Sequence, residues 1–226
     1  MAVITISRQY GSGGDEIAER VSQILGYRYF DRCDIVRAAG EAGLSEEEIS
    51  SYSRYSEESF KFKKFVDYLL RRAHNISPAE VAVAPHPEER FFNETSALSL
   101  SEKAILAAYQ AGNYVIVGRG GQVILKDRAN VLHLRIEAPL ELRVHHVHHL
   151  LRKEREAYYP DSQVRRSPND LIHEKDTASA DYVRRNFGCD WSDPVLYHAV
   201  LNTGKLSIEQ AADLIVRMVN LLYPET

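Results

Sequence analysis

The stretch VITISRQYGSGGDEIAERVSQILGYRYFDR, residues 3–32, decides the fold expected for this chain. Residues 2–7 are apolar and β-branched, which is typical of a buried strand. The GSGG that follows predicts a turn, and from Asp15 to Leu25 apolar residues recur at helical spacing. Gly26 is placed to end that helix, and YRYFD predicts a second, short strand. The stretch therefore predicts a strand, a glycine turn, a helix and another strand.

The rest of the chain continues the alternation of strands and helices. YVIVGRGG and NVLHLRI predict strands, and the first is apolar throughout, as a parallel strand buried on both faces would be. A helix opens near Pro139, VLYHAVLNT predicts the last strand, and SIEQAADLIVRMVNLL predicts a final amphipathic helix. Residues 33 to about 111 are predicted to be mostly helical, with a loop over NISPAEVAVAPHPEERFFNETS. The pattern predicts an α/β fold with a parallel sheet and a helical insertion after the second strand.

The composition of the chain argues against several classes of protein. The chain has 226 residues, 44% hydrophobic and 27% charged, which suits one sizeable core or a core with a smaller subdomain. A net charge of −4 argues against a strongly basic nucleic-acid binder. Cys33 and Cys189 form neither a zinc spacing nor a disulfide framework, and the first apolar run is too short for a signal peptide or a membrane span. We expect a cytoplasmic protein that acts on a small molecule, with no nucleic-acid or membrane partner.

The glycine turn has the context of a phosphate-binding loop. Glycines between a strand and a helix let successive N–H groups converge, and the helix adds the positive end of its dipole. A complete motif reads GxxxxGK[ST]. Here Arg8 stands at the first glycine, Gly13 at the second, and Gly14 in place of the lysine. The competing interpretation is a tight turn that binds nothing.

Two acidic residues follow the glycines and leave two interpretations open. Asp15 and Glu16 favour a helix N-terminus, where they would repel a highly charged phosphate. Alternatively, the Glu16 carboxylate helps to hold Mg²⁺, while Arg8 or another arginine supplies the missing positive charge. The candidate nucleotide-binding residues are Arg8, Gly11, Ser12, Gly13, Gly14, Asp15 and Glu16, and the candidate metal ligand is Glu16.

Three blocks in order carry a family resemblance: ITIS with GSGGDEIAERVSQILGYRYFD, YVIVGRGGQVILKDRANVLHLRIEAPLELRV, and VLNTGKLSIEQAADLIV. Together they resemble cytidylate kinase and, more closely, the bacterial cytidylate kinase-like family. The resemblance runs over almost the whole chain and is weakest across residues 40–95. It implies a nucleoside monophosphate kinase fold, in which a five-stranded parallel core carries an acceptor-binding insertion and a lid. It also implies ATP and Mg²⁺ as cofactors and CMP or dCMP as acceptor.

The resemblance implies three segments and several roles. The core would comprise residues 1–32, 101–150 and 189–226, the insertion 33–100, and the lid 151–188. Asp31 matches an aspartate at the mouth of the acceptor site, and Arg119 matches the arginine of a Gly-Arg-Asp motif that grips the acceptor. Arg143 matches an arginine of the helix before the lid, and Asp176 and Arg184 fall in the lid motif. The implied catalytic residues are therefore Arg119, Arg143 and Arg184, and the implied acceptor-binding residues are Asp31 and Arg119.

The sequence also departs from the family pattern. The lysine of the loop is absent, Gly120 replaces the aspartate after Arg119, and Thr177 and Ser179 stand where related sequences tend to carry basic residues. Each departure removes charge that phosphoryl transfer uses, and one transition-state arginine can be worth ~10³–10⁵ in rate. Two alternatives therefore stay open, a phosphate- or nucleotide-binding protein without transfer and a kinase for a different small molecule.

Several candidates have a plain structural interpretation. Asp31 can cap a helix, and Arg119 can be a salt-bridged residue at the end of a strand. His145 and His149 in HHVHH lie one helical turn apart, a spacing that can bind metal, but no third ligand is evident. Such a cluster is more often the solvated face of a helix.

Overall fold

The structure is a computed structural model that describes residues 2–30, 94–158 and 167–224. The chain divides into two compact units, Met1–Tyr29 with Ala111–Thr226, and Phe30–Gln110. The first unit contains the glycine loop. Asp31 and the helices and loop predicted for residues 33–93 lie outside the described residues.

The sheet has five strands in the order β2-β3-β1-β4-β5. The strands are β1 (Val3–Arg8), β2 (Arg28–Phe30), β3 (Tyr114–Val117), β4 (Val131–Glu137) and β5 (Ala199–Asn202). The pairs β1–β3, β1–β4 and β4–β5 are all parallel. The predicted α/β fold with a parallel five-stranded core is confirmed.

The described helices begin and end at residues whose chemistry explains the boundaries. They are α1 (Gly14–Leu25), α2 (Glu94–Ala111), α3 (Gly121–Ile124), α4 (Leu140–Tyr158), α5 (Pro168–Phe187) and α6 (Ile208–Leu222). Gly26 ends α1 at a φ of 67°, which suits a residue without Cβ. Ser207 and Gln210 form a reciprocal capping box at the start of α6. Ser167 caps α5, with proline at its first position.

One face of the sheet is apolar and packs against α1 and α6. Ile4 and Ile6 of β1 join the buried cluster that includes Ile17, Val21 and Ile215 from the two helices. Burying such side chains stabilises the fold by about 25 cal/mol for each Å² of apolar surface removed from water. This packing fixes the N-terminus of α1 at the end of β1.

The opposite face of β1 and β4 is polar, yet it is buried. Ser7 pairs in register with Arg135 and accepts a hydrogen bond of 2.7 Å from Trp191 Nε1. The Arg135 guanidinium stacks 4.2 Å from the Trp191 ring centre, donates to the Trp191 carbonyl at 2.8 Å and pairs with Glu137 at 2.6 Å. A buried charge is tolerated when it is bonded in this way. The network ties the segment after α5 to the ends of β1 and β4.

Two expectations from the sequence need correction, and one long helix was not expected. α2 begins at Glu94, inside the segment predicted to be a loop up to Ser96. The last strand covers only Ala199–Asn202, because Asp193 caps a short 3-10 helix at Pro194–Leu196 that takes up the first two residues of the predicted strand. The long helix α5 lies in the segment that the resemblance assigns to the lid, and the sequence pattern did not reveal it because its hydrophobic stripe is narrow.

Candidate functional site

The glycine loop lies where the topology of the sheet places ligands. The chain leaves β1 towards β2 and leaves β4 towards β5, in opposite directions. In open parallel sheets, ligands bind outside the carboxyl ends of strands at such a switch point. Residues 9–13 connect β1 to α1 at this position.

Two glycines give the loop its shape. Gly11 and Gly13 have φ values of 80° and 79°, in the left-handed region that strains other residues. The first helical bond of α1 runs from Ile17 N to Gly13 O, at 3.0 Å. The preceding N–H groups of the first turn therefore have no intrahelical acceptor, and they point with the helix dipole towards a potential anion. This geometry suits phosphate.

Ser12 is held by its backbone, whereas its hydroxyl has no protein partner. Its N–H donates to Gln9 O at 3.2 Å, and its carbonyl accepts from Thr203 Oγ1 at 2.8 Å. The Ser12 Oγ is buried and makes no hydrogen bond within the part of the chain that the structure describes. A buried unsatisfied hydroxyl costs about 1–3 kcal/mol. A hydrogen bond from this hydroxyl to a bound ligand would remove that cost.

The acidic residues of the first turn are both paired. Asp15 Oδ1 lies 3.1 Å from Arg8 Nε, and Glu16 Oε1 lies 2.9 Å from His146 Nε2 on α4. The guanidinium of Arg8 offsets the negative charge of Asp15, and the His146 ring contacts the Glu16 carboxylate. The repulsion expected between this helix start and a phosphate is therefore reduced.

The fit of a magnesium ion depends mainly on Glu16. Residues 2–30, 94–158 and 167–224 contain no cluster of three or more metal-ligating side chains. Mg²⁺ bound to a nucleotide needs only one or two protein carboxylates, since phosphates and waters complete its shell. Glu16 Oε2 is turned towards the loop, 4.0 Å from the position of a Cβ added to Gly13. Glu16 thus fits a single contact to such an ion.

Arg143 holds the loop from α4. Its Nη1 lies 2.5 Å from Asp176 Oδ2 and 3.4 Å from the Tyr10 carbonyl. The other oxygen of Asp176 accepts the Tyr10 N–H at 2.8 Å. Both residues are largely buried, with side-chain exposures of 10% and 21%. The predicted arginine and the predicted lid aspartate are thus brought together beside the loop, where they bind each other and Tyr10.

Arg119 follows β3 and lies in a strained backbone conformation. Its φ is 58°, and those of the flanking Gly118 and Gly120 are 72° and 71°. A residue with a side chain rarely adopts this conformation, and such strain clusters at ligand sites. Arg119 is half-buried at the carboxyl edge of the sheet, as expected for a ligand-binding residue.

Gly120, which replaces the aspartate of the family motif, leaves no space for a side chain. A Cβ added there would lie 2.9 Å from Phe187 Cζ at the end of α5. The positive φ of Gly120 adds a second obstacle. The loss of the aspartate is therefore matched by an aromatic ring in its place.

Arg184 is not part of the contacts around Tyr10. Its side chain is 72% exposed and pairs with Asp181 on the same helix at 2.5 Å. It lies two helical turns beyond Asp176, about 12 Å along α5. Asp31 lies outside the described residues.

Several residues around the glycine loop and the turn at Gly120 were not predicted from the sequence. His146 contacts Glu16, Thr203 supports Ser12, and Phe187 fills the space at Gly120. The only sequence signal was indirect, because the HHVHH run was considered solely for metal binding. Partners at these separations become visible only when the helices are packed.

Comparisons with known proteins agree with the observed fold. An uncharacterized protein from Eubacterium ventriosum ATCC 27560 superposes with a TM-score of 0.60 and 16% identity, covering 97% of this chain and 99% of that one. Shikimate kinase from Acinetobacter baumannii, in complex with shikimate, superposes with a TM-score of 0.48 and 13% identity, covering 100% of this chain and 96% of that one. At this identity, the first likeness shows the fold alone.

Comparison of the sequence with protein families identifies the family of this chain. A search of curated proteins gives no match. No helix in the described ranges is both long and apolar enough to cross a membrane. The cytidylate kinase-like family matches residues 3–205, which is most of the chain. The chain therefore belongs to the cytidylate kinase-like family, a family of kinase type.

Proposed function

We propose that this protein is an ATP-dependent phosphotransferase of the nucleoside monophosphate kinase type, with CMP or dCMP as the first acceptors to test. The observation that carries the proposal is the glycine loop, which presents the N-terminus of α1 at the switch point of the sheet. The unpartnered Ser12 hydroxyl in the same loop supports it. Family membership supports the kinase type, and the acceptor rests on the resemblance.

The proposed reaction transfers the γ-phosphoryl group of ATP to an acceptor phosphate. An oxygen of the acceptor phosphate bonds to the γ-phosphorus, the bond from that phosphorus to the β–γ bridging oxygen breaks, and ADP leaves. Catalysis of this kind depends on positioning and charge neutralisation rather than on covalent chemistry by the protein. The loop amides and Arg8 would bind the ATP phosphates. Glu16 would hold the nucleotide's Mg²⁺, which neutralises phosphate charge when bound.

Arg119 is assigned to the acceptor phosphate. It lies half-buried at the carboxyl end of β3, at the edge of the sheet where ligands of open parallel sheets bind. The strained backbone of Arg119 is further support, because it persists only where the surroundings over-determine it.

We assign different roles to Arg143 and Arg184. Arg143 is bound to Asp176 and to Tyr10 O, so we assign it to positioning the loop. Arg184 is exposed, and its ion pair with Asp181 is of a kind worth about 0–1 kcal/mol, which a phosphate can displace. We therefore retain Arg184 as the residue that would neutralise the transferring group once substrates are bound.

A second candidate function is nucleotide or phosphate binding without transfer. The specific observation in its favour is Phe187, which fills the space that the motif aspartate would need at position 120. This function predicts stabilisation by the ligand, about 2.7 kcal/mol at a hundredfold excess over Kd, with no turnover. A kinase for a non-nucleotide acceptor would consume ATP only when that acceptor is supplied.

The test is transfer of label from MgATP carrying a labelled γ-phosphate to a panel of nucleoside monophosphates. We expect labelled CDP or dCDP, with a higher KM for the acceptor and a lower kcat in Arg119→Ala. Arg217→Ala, a change at an exposed arginine of α6, is the matched control and should behave as the wild type. ATP binding without transfer to any nucleoside monophosphate would favour the second candidate or a kinase for a non-nucleotide acceptor. Absence of ATP binding would overturn the phosphotransferase.

A further inference from the structure

Gly14 is a glycine for steric rather than conformational reasons. It is the first residue of α1, and its φ is not among the positive values of the loop. A Cβ added there would lie 2.5 Å from Arg8 Cβ and 2.8 Å from Arg8 Cγ, closer than the 3.0 Å that real Cβ atoms respect. Rotation of the Arg8 side chain can move Cγ, but Cβ is fixed to the backbone of β1 and cannot move away. Position 14 therefore excludes a side chain as long as residue 8 has one.

Positions 8 and 14 are the first and last residues of the GxxxxGK pattern. The contact between them gives a physical reason for the usual pairing, because a lysine at the last position needs a residue without Cβ at the first. This chain has the reverse pairing, Arg8 with Gly14. In both arrangements, one of the two positions is a glycine and the other carries a cationic side chain.

The Arg8 side chain extends across the start of α1 towards the end of β3. Its Nε lies 3.1 Å and 3.4 Å from the two oxygens of Asp15. Its Nη1 lies 3.1 Å from the position that a Cβ on Gly118 would occupy, so Gly118 leaves room for the guanidinium. Asp15 thus holds one N–H of a group that has five. The Nη groups form no hydrogen bond among the described residues and can bind two oxygens of a phosphate.

We infer that Arg8 and Gly14 are a coupled pair that replaces the glycine and lysine of an ordinary phosphate loop. Arg8 supplies the cation that contacts the phosphates of the bound nucleotide, and Asp15 is a positioning residue that orients its guanidinium. The phosphate contact rests on the proposed function. The steric coupling between positions 8 and 14 does not, and it has a test of its own.

The steric coupling between positions 8 and 14 is tested by thermal unfolding without ligand. Gly14→Ala adds only the Cβ and should lower Tm by roughly 2–10 °C, the cost of overpacking. In an Arg8→Gly background, the same change should leave Tm unchanged or raise it, because the clash is gone. Gly121→Ala is the matched control, since it is also the first residue of a helix and its Cβ would meet atoms at an ordinary 3.4 Å. A Tm loss of equal size in both backgrounds would overturn the coupling.

The contact between Arg8 and the nucleotide phosphates is tested by calorimetric titration of MgATP into the wild type, two single variants and their double variant. Wild type should bind, and Arg8→Gly and Gly14→Lys should each lose affinity on the order of tenfold or more, the first for lack of a cation and the second because of the clash. The double variant with both changes recreates GxxxxGK and should recover most of the lost affinity. A double variant no better than either single variant would overturn the exchange.

One further variant separates two roles of Arg8. If Arg8 only masks the charge of Asp15, the variant with both Arg8→Gly and Asp15→Asn should bind as tightly as the wild type, and that result would overturn the phosphate contact. We expect it to stay weak. Asp15→Asn alone should weaken binding less than Arg8→Gly, because the guanidinium remains but is less firmly oriented. If wild type does not bind MgATP, the phosphate contact fails together with the proposed function, and the Tm result still decides the coupling.

Discussion

Asp176 and Arg143 form the ion pair that joins α4 and α5 to the phosphate loop. The Asp176 carboxylate lies 2.5 Å from Arg143 Nη1, and its second oxygen accepts the Tyr10 N–H at 2.8 Å. The Arg143 Nε is buried, without a hydrogen-bond partner in the described ranges. The pair therefore fixes the backbone just before Gly11, and the role of Arg143 in it is structural.

Removing one member of this pair should be costly. Asp176→Ala would leave Arg143 buried without its counter-charge, so we expect a loss of about 2–3 kcal/mol in the free energy of unfolding, less than for a fully buried pair. Urea denaturation measures it. The control is Asp181→Ala on the same helix, whose pair with the exposed Arg184 should contribute less than about 1 kcal/mol. Equal losses in the two variants would contradict a structural role for Asp176.

At position 119, substitutions can separate the effect of backbone strain on stability from the effect of the guanidinium on acceptor binding. Both Arg119→Ala and Arg119→Gly remove the guanidinium, so both should weaken acceptor binding. Glycine accepts a φ of 58° without strain, so Arg119→Gly should be more stable than Arg119→Ala by about 1 kcal/mol. Thermal unfolding of the two variants, with acceptor KM for each, is the measurement. An alanine variant as stable as the glycine variant would show that the backbone is not strained there.

Much of the fold follows from local patterns that the sequence displays. The strand β3 is a continuous apolar run, and β1 and β4 alternate apolar with polar residues, whereas Gly26 and Ser207 mark helix boundaries by their chemistry. α5 could not be predicted with the same ease, because its polar residues show no wide apolar stripe and only Leu171, Ile172 and Val183 are buried. Its position is set by contacts such as Asp176 to Tyr10, 166 residues apart.

The candidate site was less predictable than the fold. The glycine loop was recognisable because its chemistry resides in consecutive residues. The reason for the missing lysine was not, since it depends on the Arg8 side chain lying against Gly14. The same holds for Gly120, where the obstacle is Phe187 from a distant helix. A motif shows which residues are absent, whereas packing shows which residues occupy their space.

Ser12→Ala should separate ligand binding from stability. The hydroxyl is buried and unsatisfied, so its removal should leave the ligand-free protein as stable as before or raise its stability by up to about 1 kcal/mol. Nucleotide affinity should fall about tenfold, because a hydrogen bond to a charged oxygen is lost. Ser22→Ala, which removes a hydroxyl already bonded to Ala18 O, should not change affinity. Titration calorimetry and urea denaturation give both quantities, and unchanged affinity in Ser12→Ala would contradict the assignment.

His133 should make the stability of the fold depend on pH. Burial, and to a lesser degree the nearby His198, lower the pKa of His133 to about 4, from 6.5. As pH falls from 6.5 towards 4, His133 binds a proton in the unfolded chain but stays neutral in the folded chain. Stability should therefore be full above pH 6.5 and decrease by at most about 1.4 kcal/mol per pH unit down to pH 4. Urea denaturation across this range should give a flatter profile for His133→Asn, and parallel profiles would contradict the low pKa.

The central claim, that this glycine loop serves phosphoryl transfer without a lysine, is tested most directly by product stoichiometry. Phosphorus NMR of wild-type protein with MgATP and CMP follows ATP, ADP and CDP together in one sample. We expect ADP and CDP to appear in equal amounts, and Arg8→Gly to slow the formation of both to the same extent. ADP without CDP, or no change in any phosphate signal while ATP remains bound, would contradict it.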